Sequence, residues 1–379
     1  MKQLVLFFFI TLFIACEKEK SSNEGIQVEN YVFSSESDLK PVQGVFVGEE
    51  LFVLSTSEKN QGLQLDKLNK DGELLDSYFL LDNTRAIARS LTLQGDKLII
   101  TSSVNFGGVK NIQLSEVHIN GNLKRNEIIF AVSDEKTSKL IQKNETEWLL
   151  AGYRRDEQTG LLGILLYVID KGTLTVKSEK YLPGIILSVA ADVKSKSDGS
   201  GFYLFGHEII AEGEETDLVL YELNNNLEII GIQNNLGGAE YEEASEIIVD
   251  PEGYIYLLGH SASEDIHHNV YLAKLNLDLD IVFEKQYGGL HHDGGESFTF
   301  NDDHNFSIVA RSNSTPSGDQ SIMYLRIDKS GNQLENYIFG NDLDNRSDYI
   351  LHSAGIDYII GYTLDENNIN QMEIFKVFY

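Results

Sequence analysis

A short apolar motif returns along this chain at a nearly constant interval, and this periodicity constrains the fold more than any other feature. The clearest copies span residues 202–207, 254–260 and 357–362. Counting weaker copies, the last small residue of the motif stands at positions 55, 101, 152, 206, 259, 310 and 361. The steps between these positions are 46, 51, 54, 53, 51 and 51 residues. A period of about fifty residues is typical of repeat architectures such as propellers.

Each copy is followed by a second apolar stretch that ends in a turn sequence. Examples are Asp170-Lys171-Gly172 and Asp328-Lys329-Ser330-Gly331, whose residue types accept the backbone angles of tight turns. Beyond the first fifteen residues, no segment shows sustained helical spacing of apolar residues. We therefore predict four short antiparallel strands, A to D, in each unit. In the fifth unit these are A (244–249), B (254–259), C (270–276) and D (281–287).

Seven such units predict an all-β fold, a single β-propeller of seven four-stranded blades over residues 26–379. These 354 residues give about 51 per blade, and repetition around an axis protects the sheet edges. The last unit lacks a strand D, whereas an apolar segment at 26–33 precedes the first unit. We predict that this segment fills the missing position and closes the ring. Because the early copies are weak, six or eight blades are the alternatives.

The best-preserved unit carries Gly237-Gly238, Glu242, Asp250-Pro251-Glu252-Gly253 and Gly259 in that order. This order resembles the bacterial SBBP-type propeller repeat, in which Gly-Gly, an Asp, an apolar strand, Asp-x-x-Gly and a second apolar strand ending in Gly follow one another. The resemblance is good over about residues 185–379 and poor before residue 140. It implies a propeller on a secreted or surface protein, and it implies no shared reaction.

The first sixteen residues have the features of an export signal. Lys2 precedes an apolar run over residues 4–14, which is shorter than the roughly 20 residues of a membrane-spanning helix. The run ends in Phe13-Ile14-Ala15-Cys16, which resembles the lipobox of bacterial lipoproteins, although that family prefers Leu where Phe13 stands. The resemblance implies a signal peptide over residues 1–15 and a tether over 16–25 that begins at the lipidated Cys16, with palmitate among its acyl chains. A secretory signal that happens to contain a Cys is the alternative.

Charge and cysteine content exclude several classes of function. The chain has 30 Lys and Arg against 59 Asp and Glu, a net charge of −29, so we predict no binding to nucleic acid. Cys16 is the single cysteine, which excludes an internal disulfide and a thiolate metal site. The sequence contains no phosphate-binding loop, no His-Glu-x-x-His and no nucleophile elbow. We therefore predict no cofactor and no metal site, and we assign no catalytic residue.

Strand direction brings the D–A and B–C connections to one face of the predicted propeller, and three groups of polar residues fall there. The first is the residue that follows strand B in each unit. The second is an acidic residue near the start of strand A, represented by Glu242, Asp293 and Asp344 at constant steps of 51 residues, a position more typical of a loop brace than of a ligand. The third is a group of histidines, for which solvated loop side chains are a simpler interpretation than a metal site. The candidate ligand-binding residues are Tyr153, His207, His260, Arg311, Tyr362, Glu242, His292, Asp293 and Asp344.

These features together predict a lipid-anchored propeller that binds a protein or a polysaccharide. The acidic residues after Cys16 resemble the surface-export signals of Bacteroidetes lipoproteins, so we expect an outer-membrane protein exposed on the cell surface, with the periplasmic face as the alternative. The rival function is an extracellular hydrolase or lyase that acts on glycan, with a His, Asp and Glu site at the propeller mouth around His260 and Asp293. A purely structural role in an assembly is the third possibility.

Overall fold

The structure is a computed structural model, and it describes residues 16–23, 26–33, 38–80, 85–106, 108–131, 133–184, 186–212, 215–238, 240–262, 267–315, 320–340, 344–365 and 367–379. Within these ranges the chain forms 29 β-strands and no α-helix. Accordingly, the described residues contain no helix that is long and apolar enough to cross a membrane. The predicted signal peptide, residues 1–15, lies outside the described residues.

The strands form seven antiparallel sheets, which are the blades of a β-propeller, as predicted. Blade 1 contains β3 (Leu39–Val47), β4 (Glu50–Ser57), β5 (Gly62–Asn69) and β6 (Leu74–Leu80). Blade 2 contains β7 (Ile87–Gln94), β8 (Lys97–Phe106), β9 (Val109–His118) and β10 (Leu123–Ile129). Blade 3 contains β11 (Glu135–Gln142), β12 (Glu147–Arg155), β13 (Leu162–Asp170) and β14 (Val176–Leu182). Blade 4 contains β15 (Leu187–Ser195), β16 (Gly201–Ile209), β17 (Asp217–Asn224) and β18 (Ile229–Leu236).

The remaining three blades complete the ring. Blade 5 contains β19 (Glu242–Val249), β20 (Ile255–Ala262), β21 (His268–Leu275) and β22 (Ile281–Tyr287). Blade 6 contains β23 (Asp293–Phe300), β24 (Phe306–Ser312), β25 (Ser321–Ile327) and β26 (Gln333–Phe339). Blade 7 contains β27 (Asn345–Ser353), β28 (Ile356–Leu364) and β29 (Asn370–Phe378), joined by β2 (Ile26–Phe33) and β1 (Cys16–Asn23).

The ring closes through the N-terminal strand β2. This strand pairs antiparallel with β29, from Gln27 opposite Phe378 to Phe33 opposite Met372. The prediction that residues 26–33 supply the missing strand D is therefore confirmed. Residues 16–23 of the predicted tether form β1, which pairs along the outer edge of β2 and makes blade 7 five-stranded. The outer edge of β2 would otherwise present unpaired backbone N–H and C=O groups, and pairing with β1 satisfies them. Lipidation of Cys16 stays a prediction.

The hydrophobic core lies between the blades rather than on the axis. Seven clusters of buried apolar residues occur, one at each contact between neighbouring sheets. Strands B and C are covered by neighbouring blades on both faces. Both faces of these strands are therefore buried, as in β20, where every residue is buried. The outer strand D has one exposed face and alternates instead, as in β22.

Every strand A carries a β-bulge at the same place, and this detail shapes the centre of the molecule. The ladder with strand B skips one residue there, and a bulge re-aims the side chain of the extra residue. The seven skipped residues are Val42, Arg89, Ser138, Ala191, Ser245, Glu296 and Asp348. All seven line a narrow axial channel of about 130 Å³. In blade 2, the residue just before the bulge, Ala88, pairs with Ser102 of strand B. The small residue of the repeated motif therefore stands at position 102 in this blade, one residue later than the predicted position 101.

Candidate functional site

Three connected depressions open on the face formed by the D–A and B–C connections, around the end of the axial channel. The histidine lobe, about 400 Å³, is lined by Tyr241, Glu243, His260, His268, His292, Asp293, Gly294, Arg311, Asn313 and Gln320. The central lobe, about 370 Å³, shares Glu243, His260 and Arg311 with it. The tyrosine lobe, about 480 Å³, contains Tyr362 and meets the central lobe at Arg89 and Ser138.

Seven of the nine candidate residues line these lobes. The central lobe contains Tyr153, His207, His260 and Arg311. The histidine lobe adds His292 and Asp293, and Tyr362 lies in the tyrosine lobe. Residues from blades 3 to 7 are thus brought to one mouth because they lie near the end of strand B or near the start of strand A in their blades. Their role in binding stays a prediction, since no ligand is present.

Glu242 does not line the mouth; it is fully buried and braces the loop between blades 4 and 5. Its carboxylate accepts hydrogen bonds from the Gly238 amide at 2.6 Å and the Ser261 hydroxyl at 3.1 Å. Burial raises the pKa of Glu242 to about 6, although both hydrogen bonds act in the opposite direction. Asp293 has the same geometry one blade later, accepting from the Gly289 amide at 2.6 Å and from Ser314 at 2.9 Å. These contacts are those of a loop brace.

The prediction that Asp344 is the next copy of this position is wrong. The buried first residue of strand A in blade 7 is Asn345, which pairs with Thr363 as Asp293 pairs with Ser312. Asp344 is exposed and lies outside the three lobes. The spacing from Asp293 is 52 residues rather than 51, so a constant step selected the neighbouring residue. Burial and pairing, not charge, define the repeated position.

Aromatic rings stack along the floor of the histidine lobe. The ring centroids of Tyr241 and His268 are 5.2 Å apart and nearly parallel, and those of His268 and His260 are 5.3 Å apart. His292 meets His268 edge-on at 5.0 Å. Among the described residues, no group of three or more His, Cys, Asp or Glu side chains is placed to hold a metal ion. Through these ring contacts, the imidazoles form part of an aromatic surface.

Glu243 is the charged centre of this lobe. His260 Nε2 lies 3.1 Å from Glu243 Oε2, and the Tyr241 hydroxyl donates to the same oxygen at 3.2 Å. The hydrogen bond from His260 lowers the pKa of Glu243 to about 2, against the effect of burial. Burial lowers the pKa of His207 and of His268, so both imidazoles are neutral at neutral pH. The mouth thus combines the carboxylate of Glu243 with the neutral imidazoles of His207 and His268.

The candidate set left out charged residues that the bulges bring to the mouth. Arg89 and Glu296 are bulge residues, Lys136 precedes the bulge in blade 3, and all three line the central lobe. Arg311 Nε lies 3.1 Å from Glu296 Oε1. Arg89, Glu296 and Asp348 occupy one repeated strand-A position, and that equivalence is visible in the sequence only once the bulge is known.

Burial raises the pKa of Glu296 to about 8 and that of Asp348 to about 7, with Arg311 and Arg346 partly offsetting this. Between the ordinary carboxyl pKa and about 8, the folded chain binds more protons at Glu296 than the unfolded chain does. The contribution of the protonated Glu296 side chain to the free energy of unfolding is therefore complete below the ordinary carboxyl pKa. This contribution is lost as the pH rises through 8.

We therefore expect Glu296→Gln to stabilise the chain, relative to the parent, more at about pH 8.5 than at about pH 5. The side chain is 28% exposed through the channel, so the difference should be about 1 to 2 kcal/mol. Urea unfolding at the two pH values measures it. Glu240→Gln, on an exposed loop, is the matched control and should shift stability equally at both. A pH-independent effect of Glu296→Gln would contradict the argument.

Comparisons with known proteins support the fold alone. No family model matches the chain, and no curated protein does. Among solved structures, a puromycin hydrolase mutant complexed with PGG is 12% identical with a TM-score of 0.56; the alignment covers 88% of this chain but only 53% of that one, so this chain spans about half its length. An ulvan lyase bound to -[GlcA(1-4)Rha3S]- is 8% identical, with a TM-score of 0.57 and coverage of 87% and 90%. The propeller domain of the Trilobed protease from Pyrococcus furiosus, whose topology is described as open velcro, is 12% identical, with a TM-score of 0.51 and coverage of 89% and 93%.

Proposed function

We propose that the chain is a lipid-anchored propeller of the cell envelope whose mouth binds a polysaccharide. The observation that carries this proposal is the histidine lobe, where stacked rings and hydrogen-bonding groups line one open depression. Sugar rings present alternating apolar and hydroxyl faces, so a tyrosine ring beside a carboxylate and amides offers contacts to both. The concave shape favours a glycan chain over the flat surface of a protein partner.

The proposed location rests on the N-terminal sequence. The lipobox resemblance at Cys16 and the acidic residues Glu17 and Glu19 support an outer-membrane lipoprotein exposed at the surface. The net charge of −29 is compatible with a solvated envelope protein and unfavourable for nucleic acid. Display at the surface would give the mouth access to extracellular glycan.

A lyase is the second candidate, and the composition of the histidine lobe is what favours it. Elimination from a uronate needs a cation beside the carboxylate, a base that takes the neighbouring C–H proton, and an acid that protonates the leaving oxygen as its C–O bond breaks. Arg311, the neutral imidazole of His268 and the Tyr241 hydroxyl lie in one lobe. The fold similarity to ulvan lyases, at 8% identity, adds only that such a scaffold can support this chemistry.

The test compares glycan-array binding by soluble chain 26–379 with binding of the same glycans by intact cells. We expect binding in both, and we expect Tyr241→Ala to weaken it about tenfold because a stacking ring is lost. Tyr254→Ala, on the opposite face, is the matched control. Protease treatment of cells should remove the binding, and Cys16→Ser cells should lack it. Ultraviolet absorbance of a new carbon–carbon double bond in the bound glycan would favour the lyase.

The outcomes separate the parts of the proposal. Binding by the soluble chain without binding by cells refutes surface display and leaves the glycan site standing. Binding that survives in Tyr241→Ala places the contact outside the histidine lobe. Failure of every glycan to bind the soluble chain overturns the proposed function.

A further inference from the structure

We propose that the mouth recognises an anionic group of the glycan, a carboxylate or a sulfate, and that Arg89 and Lys136 hold it in the central lobe. This inference deepens the proposed function and rests on it. It comes from two cations that have no acidic partner among the described residues, in a chain with 59 acidic and 30 basic residues.

Arg89 is placed where the cavities meet. It is the bulge residue of blade 2, and it lines the axial channel, the central lobe and the tyrosine lobe. Its Nε donates to Ser103 Oγ at 3.1 Å, which fixes the direction of the guanidinium. Among the described residues, no carboxylate lies within ion-pair distance of it. The two terminal nitrogens are therefore available, in the planar geometry that suits a carboxylate or a sulfate.

Lys136 supplies a second charge from the next blade. Its Nζ lies 5.6 Å from the centroid of the Tyr153 ring, and both residues line the central lobe together with Arg89. In the part of the chain that the structure describes, Lys136 also has no acidic partner. A cation over an aromatic ring keeps its charge while its position is restricted. The lobe thus presents two cations and a ring to one volume of about 370 Å³.

Among the described residues, Arg89 and Lys136 form no ion pair, although acidic residues are in excess and Glu243 and Glu296 line the same lobe. With 59 acidic and 30 basic residues, a cation is surrounded by an excess of carboxylates, and many here are paired. On the same face, Lys40 pairs with Glu58 at 3.0 Å and Arg311 with Glu296 at 3.1 Å. Of the acidic residues that line the mouth, Glu243, Asp293, Glu296 and Asp348 belong to blades 5 to 7, and Glu58 of blade 1 pairs with Lys40. Arg89 and Lys136 come from blades 2 and 3, and no described acidic residue of these two blades lines the three lobes.

An anionic sugar residue fits this division better than a neutral one. Two half-buried cations with no acidic partner among the described residues carry a desolvation cost that an incoming anion offsets. The net charge of the whole chain does not prevent this, because fields beyond about 8 Å are screened at physiological salt. The carboxylates from blades 5 to 7 then orient the glycan, because they repel a second anionic group. Carboxylates and sulfates both satisfy the geometry, and the experiment distinguishes them.

The test measures calorimetric binding of three probes to soluble chain 26–379: polygalacturonate, which carries carboxylates, dextran sulfate, and neutral dextran. We expect one of the anionic probes to bind and dextran not to, with affinity falling as salt is added. Arg89→Gln should weaken that binding about ten- to hundredfold and Lys136→Gln about tenfold. Lys124→Gln, an exposed cation on outer strand β10, is the matched control and should bind like the parent.

The binding results distinguish a carboxylate site, a sulfate site and the absence of an anion site. Preference for polygalacturonate identifies a carboxylate, and preference for dextran sulfate a sulfate. Equal binding of dextran and the anionic probes, or unchanged binding in both variants, overturns the anion site while leaving glycan binding intact. Absence of binding to all three probes overturns the anion site, and the glycan array then judges the proposed function separately. If thermal melting shows that Arg89→Gln does not fold, Lys136→Gln alone decides.

Discussion

A chain that begins at residue 38 is expected to lose cooperative folding, whereas a chain that begins at residue 26 keeps it. The difference is strand β2, which buries Ile26, Val28, Tyr31 and Phe33 between blades 6, 7 and 1. At about 1.5 to 3 kcal/mol for each buried side chain, β2 contributes about 6 to 12 kcal/mol. That is comparable to the whole stability of a typical domain, about 5 to 15 kcal/mol. Its loss also leaves the backbone groups of β29 unpaired.

Rescue in trans makes this prediction specific to strand pairing. A synthetic peptide of residues 26–33 should restore a single thermal transition to the chain that begins at residue 38. The same peptide with Val28→Asp and Phe33→Asp should not, because both side chains enter the blade interfaces. Circular dichroism and differential scanning calorimetry report the transition. A shortened chain that melts as cooperatively as the longer one would show that the ring is stable when open.

Gly259→Ala is expected to destabilise the chain by about 3 kcal/mol, a large effect for one methyl group. A Cβ at Gly259 would stand 2.3 Å from the backbone oxygen of Glu243, and a backbone atom cannot rotate away. Gly152, Gly206 and Gly361 stand at the same place in other blades, with backbone oxygens 2.0 to 2.2 Å from the missing Cβ. In these four blades the glycine permits the close approach of strand A just before its bulge, whereas Ser55, Ser102 and Ala310 occupy the position in blades 1, 2 and 6.

The same substitution should disturb the site, since Glu243 and His260 flank the clash and lie in contact, with His260 Nε2 3.1 Å from Glu243 Oε2. Urea unfolding measures the stability, and glycan binding measures the site. Gly238→Ala is the control, because its nearest neighbour would lie 3.5 Å from the new methyl group. An unchanged unfolding midpoint for Gly259→Ala would mean that strand A moves freely. In blade 6, Ala310 occupies this position. The strand-A residue that pairs with it is Gly295, and Gly294 precedes Gly295.

The boundaries of the outer strands were predictable, and those of the inner strands were not. Strand D of blade 5 was predicted at residues 281–287 and is observed at Ile281–Tyr287. Its apolar residues alternate because one face meets solvent. Strand A was predicted to begin at residue 244 and begins at Glu242. Its first residues are polar because they brace a loop and line the mouth, so hydrophobic pattern does not mark them as strand.

The sequence alone predicted seven blades, with six or eight as the alternatives, and it predicted the closing strand and the face that carries the mouth. The number of blades follows from the repeat period, the closing strand from the apolar segment that precedes the first unit, and the face from strand direction. All three are properties of the linear sequence. Only the tertiary structure decided that Arg89, Glu296 and Asp348 share one position, that Asn345 replaces Asp344, and that Arg89 and Lys136 line one lobe. Those facts depend on a one-residue bulge in each strand A and on contacts between blades, which join residues about fifty or more positions apart.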